Sequence, residues 1–410
     1  MNDKPSLLQQ ALDYHEFPRP GKLSVESSKP CYTAAELSLA YSPGVAEPVR
    51  EIYRDPDTAY RYTNKGNLVA VITDGTAVLG LGNVGALASK PVMEGKGVLF
   101  KRFADIDVFD IEVTAPSVES FIETVVNIAP TFGGINLEDI AAPHCFRIER
   151  ELRERLNIPV FHDDQHGTAV VICAALLNAL DLQNKRLAEA RIVFLGAGAA
   201  GMATARLLKA MGATDITMVN KTGVIHSQRE DINEDMRDLM RDTADRTLAD
   251  AMQDADVFIG VSAANALPAE LLKKMAANPV VFALANPDPE ILPSVAAEVR
   301  DDLVMATGRS DFPNQVNNAL CFPYLFRGAL DAKAPQVSQN MQIAAAHALA
   351  ELAREPVPNS VLTAYDATEM QFGKDYIIPK PFDPRLLKHV SEAVYQASLA
   401  EQAEQNIKLA

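Results

Sequence analysis

The chain has few cysteines, and they are scattered. Cys31, Cys145, Cys173 and Cys321 show no CxxC or Cys/His spacing, so neither a disulfide framework nor a structural zinc site is expected, and a reducing cytoplasm fits best. No run of about 18 apolar residues occurs, which argues against a membrane span. The opening residues, MNDKPSLLQQALDYHEF, carry acids and glutamines where an export leader needs an apolar core, so export is not expected. There is also no Lys/Arg-rich stretch. The formal charge is −16, which repels nucleic acid and anionic membrane surfaces. It equally repels anionic substrates, so a site for one needs a locally placed cation or a metal.

What is present is an ordinary globular composition, 48% hydrophobic and 22% charged over 410 residues. A single hydrophobic core stops growing at roughly 250 to 300 residues, so two domains are expected. The segment to about Gly66 is rich in Pro and turn residues and reads as a wrapping arm. From Asn67 onward, apolar runs (LVAVITDG, VLFKRFADIDVFDIEV, IPVFHDD) alternate with helical stretches (SVESFIETVVNIA, CFRIERELRERL). That alternation marks βαβ units and an α/β fold with parallel sheets. The expected division is 1–160, arm plus α/β part, and 161–400, with segment 319–375 available to pack back on the first domain. The Gln-rich end EQAEQNIKLA is expected to be a fraying helix.

In the second half, the strand pattern ARIVFLG runs into Gly196-Ala197-Gly198-Ala199-Ala200-Gly201 and a helix, and the next strand ends at Asn220. Glycines there allow a tight turn and close approach of a pyrophosphate to backbone N–H groups at a helix N-terminus. In this strand, turn and helix order the motif identifies a Rossmann-type domain binding NAD or NADP. Where an Asp or Glu would chelate the ribose diol of NAD, the chain has Asn220-Lys221-Thr222. The missing carboxylate and nearby cation favour NADP, with a solvated loop lysine as the alternative reading of Lys221. A carboxylate restored at position 220 is expected to move the preference toward NAD.

Two acidic pairs, Glu138-Asp139 in NLEDI and Asp163-Asp164 in VFHDDQHGTA, follow successive apolar runs. In a parallel sheet those strand ends line the ligand crevice. Three carboxylates converging there form an oxygen site suited to Mg²⁺ or Mn²⁺; helix caps and solvated loop acids are the alternative. His162 and His166 are four apart but lack the glutamate of HExxH, which disfavours zinc.

Together with AYSPGVA (40–46), TDGTAVLGLGNVG (73–85), PVMEGKGVLFK (91–101), ALANPDPEI and NQVNNALCFP, these segments resemble the short bacterial malic enzymes over nearly the whole chain. The resemblance implies oxidative decarboxylation of malate to pyruvate and CO₂ with reduction of NAD(P), and also decarboxylation of oxaloacetate. It implies Lys96 as general base, Tyr41 as general acid, Asp163 as the partner positioning Lys96, and Glu138, Asp139 and Asp164 as metal ligands. Asn286 and Asn318 resemble the family's amides on the substrate carboxylate or nicotinamide side, and local turn and helix-start roles are the alternative for both. On the residues alone, Lys96 reads equally as a surface lysine and Tyr41 as a buried aromatic. Serving as a base at neutral pH requires a lysine pKa lowered from about 10.4. Longer family members carry an Arg at the equivalent of Thr76-Ala77 that grips a substrate carboxylate, and this chain has none. The family also implies a homodimer. A malolactic or oxaloacetate-decarboxylating relative would use the same groups. A non-catalytic dinucleotide sensor would leave the acidic pairs unexplained.

Overall fold

In the computed structural model the run LVAVIT forms strand β1 (Leu68–Thr73), buried along its whole length. It lies inside a four-stranded parallel sheet with β2 (Asp107–Glu112), β3 (Gly134–Leu137) and β4 (Val160–His162), in the order β2-β1-β3-β4. A central parallel strand is covered on both faces, which is why its sequence is continuously apolar instead of alternating. Because β3 and β4 are neighbours and both run toward the same edge, the acidic pairs that follow them emerge side by side. The structure describes residues 6–78 and 80–409. The first five residues of the arm, Leu79 of the TDGTAVLGLGNVG motif and Ala410 lie outside the described residues.

The second sheet contains β5 (Arg191–Leu195), β6 (Asp215–Asn220), β7 (Gly223–Val224), β8 (Val257–Gly260), β9 (Val280–Ala283) and β10 (Val304–Thr307), in the order β10-β9-β8-β5-β6-β7. All pairs are parallel except the short β6–β7 pair. From β5 the chain goes first to β6 on one side and later to β8 on the other, so the glycine turn after β5 opens at the topological switch point, where such sheets bind ligands.

The two sheets are bridged by the helix Thr168–Leu182. Counting uninterrupted apolar residues passes over it, yet with the preceding turn it forms a 20-residue helical stretch, Asp163–Leu182, containing an 18-residue window of mean hydropathy 1.3, apolar enough by composition to cross a membrane. Most of that window is buried inside the protein, which marks it as a core helix. The helix Phe322–Asp331 returns to the first sheet, where Phe322 and Phe326 meet Phe100 edge-on at 4.8 and 5.3 Å. Arg327 Nη1 donates to Asn67 Oδ1 at 2.6 Å. The last helix, Arg385–Leu409, packs on Phe322–Asp331 and continues through the acidic end where fraying was expected.

The arm differs from everything after it. Its helices Leu7–Glu16, Ala34–Ala40 and Ala46–Arg54 bury no residue, and Leu8, Leu39 and Tyr53 are 74%, 76% and 90% exposed. One anchor lies near its start. The Lys22 N–H donates to Glu94 at 2.9 Å, and a Cβ on Gly97 would stand 2.6 Å from Leu23, so the glycine is what lets the arm lie against the helix Ala86–Ala104.

Candidate active site

Lys96 lies in the helix Ala86–Ala104, on the face turned to the first sheet, and is buried. Its Nζ donates to Asp163 Oδ2 at 2.5 Å and pairs with Glu138 Oε1 at 3.0 Å. The ammonium also sits 4.3 Å from the ring centre of Phe322. Asp163 and Asp164 start a π-helical turn, Asp163–Gly167, which leads into the core helix. A Cβ on Gly167 would stand 1.8 Å from Asp163 Oδ1, so only glycine lets the turn fold over that carboxylate.

Glu138, Asp139 and Asp164 offer oxygens within 4.8 Å of one another. Asp139 adopts a φ of 55°, a conformation unusual for a non-glycine residue that the surrounding contacts must hold. Three contacts do so. The Asp139 N–H donates to Asp164 Oδ2 at 2.8 Å, the Ala77 N–H to the Asp139 carbonyl at 2.9 Å, and the Ala141 N–H to Thr76 Oγ1 at 2.9 Å. Thr76 and Ala77 thus tie the TDGTA loop to the acidic turn. Asp139 Oδ2 and Asp163 Oδ1 are buried without a hydrogen-bond partner. Buried acceptors of this kind are costly unless something satisfies them. The all-oxygen donor set with orphaned carboxylate oxygens fits a hard divalent cation such as Mg²⁺ or Mn²⁺.

The electrostatics point the same way. Burial, reinforced by the neighbouring carboxylates and opposed by Lys96, holds Glu138 well above the usual carboxylate range. Burial and Asp164 push Asp139 up to about 7. Burial, opposed by Lys96, pushes Asp163 up to about 6. For Lys96, burial works to lower the pKa, but Asp163, Glu138 and Asp164 outweigh it and hold the ammonium above the ordinary lysine range. Acting as a base requires the opposite shift. The difference arises because the protein alone places a concentrated negative charge beside the amine.

His162 is buried with both ring nitrogens unbonded, its Nε2 3.7 Å from Asp164 Oδ2, and burial lowers its pKa. His166 Nε2 lies 2.8 Å from Glu149. Glu149, also within 3.1 Å of Gln165 Nε2, supports the acidic turn from behind. It was missed in the sequence, although a signal exists: it shares the buried stripe of its helix with Cys145, Ile148 and Leu152, an odd place for an acid. Phe322 was also missed as the aromatic wall of Lys96.

At the second sheet, Gly196 has φ 119°, and a Cβ there would lie 2.5 Å from the Val261 carbonyl. A Cβ on Gly201 would lie 2.1 Å from the Gly196 carbonyl, whereas one on Gly198 would meet nothing within 4 Å. The outer two glycines are therefore needed for packing, and Gly198 faces open space at the start of the helix Ala199–Ala210, as close approach of a ligand requires. Ala197 is buried in the turn, and Ala199 and Ala200 form the first helical residues. Asn220 ends β6, and Lys221 beyond it is exposed.

The remaining site residues are dispersed. Asn318 stands beside the acidic turn, its Cβ 3.4 Å from where a Gly167 Cβ would be. Asn286 is exposed beyond β9, in reach of the Leu284 carbonyl at 3.4 Å. Tyr41, at the C-terminal end of the arm helix Ala34–Ala40, is 71% exposed, and none of the contacts among the described residues joins it to Lys96.

Residues 20–117 and 113–153 match the family model "Malic enzyme, N-terminal domain", and residues 165–364 match "Malic enzyme, NAD binding domain". An NADP-dependent malic enzyme of Halomonas elongata is 63% identical over 95% of this chain and 93% of its own length. An NADP-dependent malic enzyme of Escherichia coli is 55% identical over 96% of this chain, which spans only 52% of that relative. The crystal structure of an NAD-dependent malic enzyme from Thermotoga maritima superimposes with a TM-score of 0.86 at 42% identity, covering 94% of this chain and 98% of the other. The two family models together match most of the chain, and these relatives align over nearly all of it: the chain belongs to the malic enzyme family, NAD(P)-dependent oxidoreductases that oxidatively decarboxylate malate.

Proposed function

We propose that the Lys96 and carboxylate cluster carries out this oxidation, with Mg²⁺ or Mn²⁺ and with NADP preferred to NAD, in a cytoplasmic homodimer. The observation that carries the reading is the buried Lys96 amine, 2.5 Å from Asp163 and 3.0 Å from Glu138, beside the trio Glu138, Asp139 and Asp164. A cation held by that trio supplies Lewis acidity toward the substrate oxygens and offsets the negative charge that keeps Lys96 protonated. Lys96, positioned by Asp163, would take the C2 hydroxyl proton as C2 is oxidised, with NAD(P) bound at the glycine turn supplying the hydride acceptor. After CO₂ departs, the Tyr41 hydroxyl returns a proton to C3 of the pyruvate enolate. Asn286 and Asn318 orient the substrate carboxylate and the nicotinamide. In this reading the two domains divide near residues 161–168, and the crevice between them is the site.

Two features support the dimer and a role for Tyr41 within it. The arm leaves Leu7, Leu8, Leu12, Leu39 and Tyr53 exposed, apolar side chains that a second copy would cover, and a two-fold pair is the simplest closed assembly. An exposed Tyr41 on that arm is then available to the partner copy's Lys96. NADP preference rests on Asn220 and Lys221. A cytoplasmic setting agrees with four free cysteines. The absorbance of reduced nucleotide, followed with malate and Mn²⁺, tests the reading. NADPH should form faster than NADH and a chelator should stop both. Absence of either reduced nucleotide, or turnover indifferent to the chelator, overturns it.

A further inference from the structure

The side chain at the end of β6 is locked in place. Asn220 Oδ1 accepts from the Thr222 N–H at 3.1 Å, the Thr222 hydroxyl at 2.8 Å and Arg229 Nη1 at 2.9 Å. The N–H and the guanidinium can only donate, so the amide oxygen must face them, and Nδ2 is left as the group Asn220 can offer a ligand. Arg229 is itself fixed, with its side chain 9% exposed. Nη1 also reaches the Gly223 and Val224 carbonyls at 3.3 and 3.2 Å, Nε and Nη2 bracket Asp231 at 2.8 and 2.5 Å, and Nη2 bonds the Thr222 hydroxyl.

We propose that Arg229 sets the nucleotide preference of this chain as a positioning residue, by holding Asn220 as a donor and by standing ready to pair with any carboxylate put in its place. The inference rests on reading the end of β6 as the ribose end of the NAD(P) site. A carboxylate at position 220 would project its oxygen to the point now 2.9 Å from Nη1. A charge-assisted pair there is stronger than the bond it replaces, so Arg229, which also pairs with Asp231, holds one oxygen of the new carboxylate and leaves the other, in the place of Nδ2, a weaker acceptor for a ribose diol. The sequence alone suggests that Asn220→Asp moves the enzyme toward NAD. With Arg229 beneath it, that change by itself is insufficient, and both positions must change together.

A double-mutant cycle tests this. Wild type, Asn220→Asp, Arg229→Gln and the double variant are compared in kcat/KM for NADP and NAD. Independently of turnover, calorimetry gives their affinities for adenosine 2′,5′-bisphosphate and AMP, the two adenosine halves. Asn220→Asp alone should leave the NADP to NAD ratio within about threefold, while the double variant shifts it toward NAD by more than about tenfold, the equivalent of about 1.4 kcal/mol. Asn220→Asp keeps every bond that Arg229 makes to the loop, so it stays informative even if Arg229→Gln loosens the fold. If Asn220→Asp alone shifts the ratio tenfold or more, or if positions 220 and 229 act additively, the inference is overturned. Should wild type bind AMP as tightly as the bisphosphate, the NADP reading fails, and the coupling on NAD still decides the role of Arg229.

Discussion

Lys96→Ala is expected to lower kcat/KM for malate by about 10²- to 10⁴-fold, the usual cost of removing a general base. The loss should fall on the step in which the hydroxyl proton leaves, and a small added amine should restore part of it. Tyr41→Phe should act elsewhere: exchange of pyruvate C3 protons with deuterated water should drop further than hydride transfer does. The exposed position of Tyr41 adds a sharper test. In a two-fold dimer whose sites borrow Tyr41 from the partner, mixing the two crippled variants and letting subunits exchange rebuilds one intact site per hybrid, about a quarter of all sites. If each chain uses its own Tyr41, no mixture regains activity. Wild-type exchange of pyruvate protons by Tyr41→Phe, together with normal malate oxidation by Lys96→Ala, would remove both residues from the mechanism.

Asp164→Asn should abolish most activation by divalent metal. Losing an outer-shell partner of a metal ligand typically costs about 10- to 100-fold in affinity, and a direct ligand should cost more. Stability gives a second readout that does not depend on turnover. Asp139 is held near 7 and Asp163 near 6 by burial among like charges. Between their unfolded values and these, the folded chain binds protons that the unfolded chain has released, so metal-free stability falls as pH rises through that window. Mn²⁺ should therefore raise Tm more at about pH 8 than at about pH 5. In Asp164→Asn the increment should vanish, and the metal-free variant should be no less stable than wild type at the higher pH, since one of the crowded charges is gone. An unchanged Mn²⁺ increment in the variant would show that the ion binds elsewhere.

Features carried by short stretches of chain were legible in the sequence. The glycine turn and the acids after β3 and β4 are local signals, because a parallel strand fixes where its last residue points. That β3 and β4 are neighbours, and so bring Glu138 beside Asp164, follows only from sheet order. Phe322 reaches Lys96 by a helix returning from more than half the chain away, and no local pattern announces that. Arg229 lies nine residues beyond Asn220 in a polar loop, where an arginine ordinarily reads as solvated. The raised Lys96 pKa was also out of reach, since it depends on how closely three separate carboxylates approach the amine. For Tyr41 the motif AYSPG supplied a candidate, while its exposure on an arm that buries none of its helices is a property of the folded chain.

The central claim is that malate oxidation and decarboxylation are coupled at one site. Malate labelled at C4, turned over with Mn²⁺ and NADP, tests it most directly by counting labelled CO₂ against NADPH. One CO₂ per NADPH, with pyruvate as the product and both suppressed by chelator, is the predicted result. Labelled CO₂ released with lactate and no net NADPH, or NADPH formed with oxaloacetate accumulating and no CO₂, would contradict it.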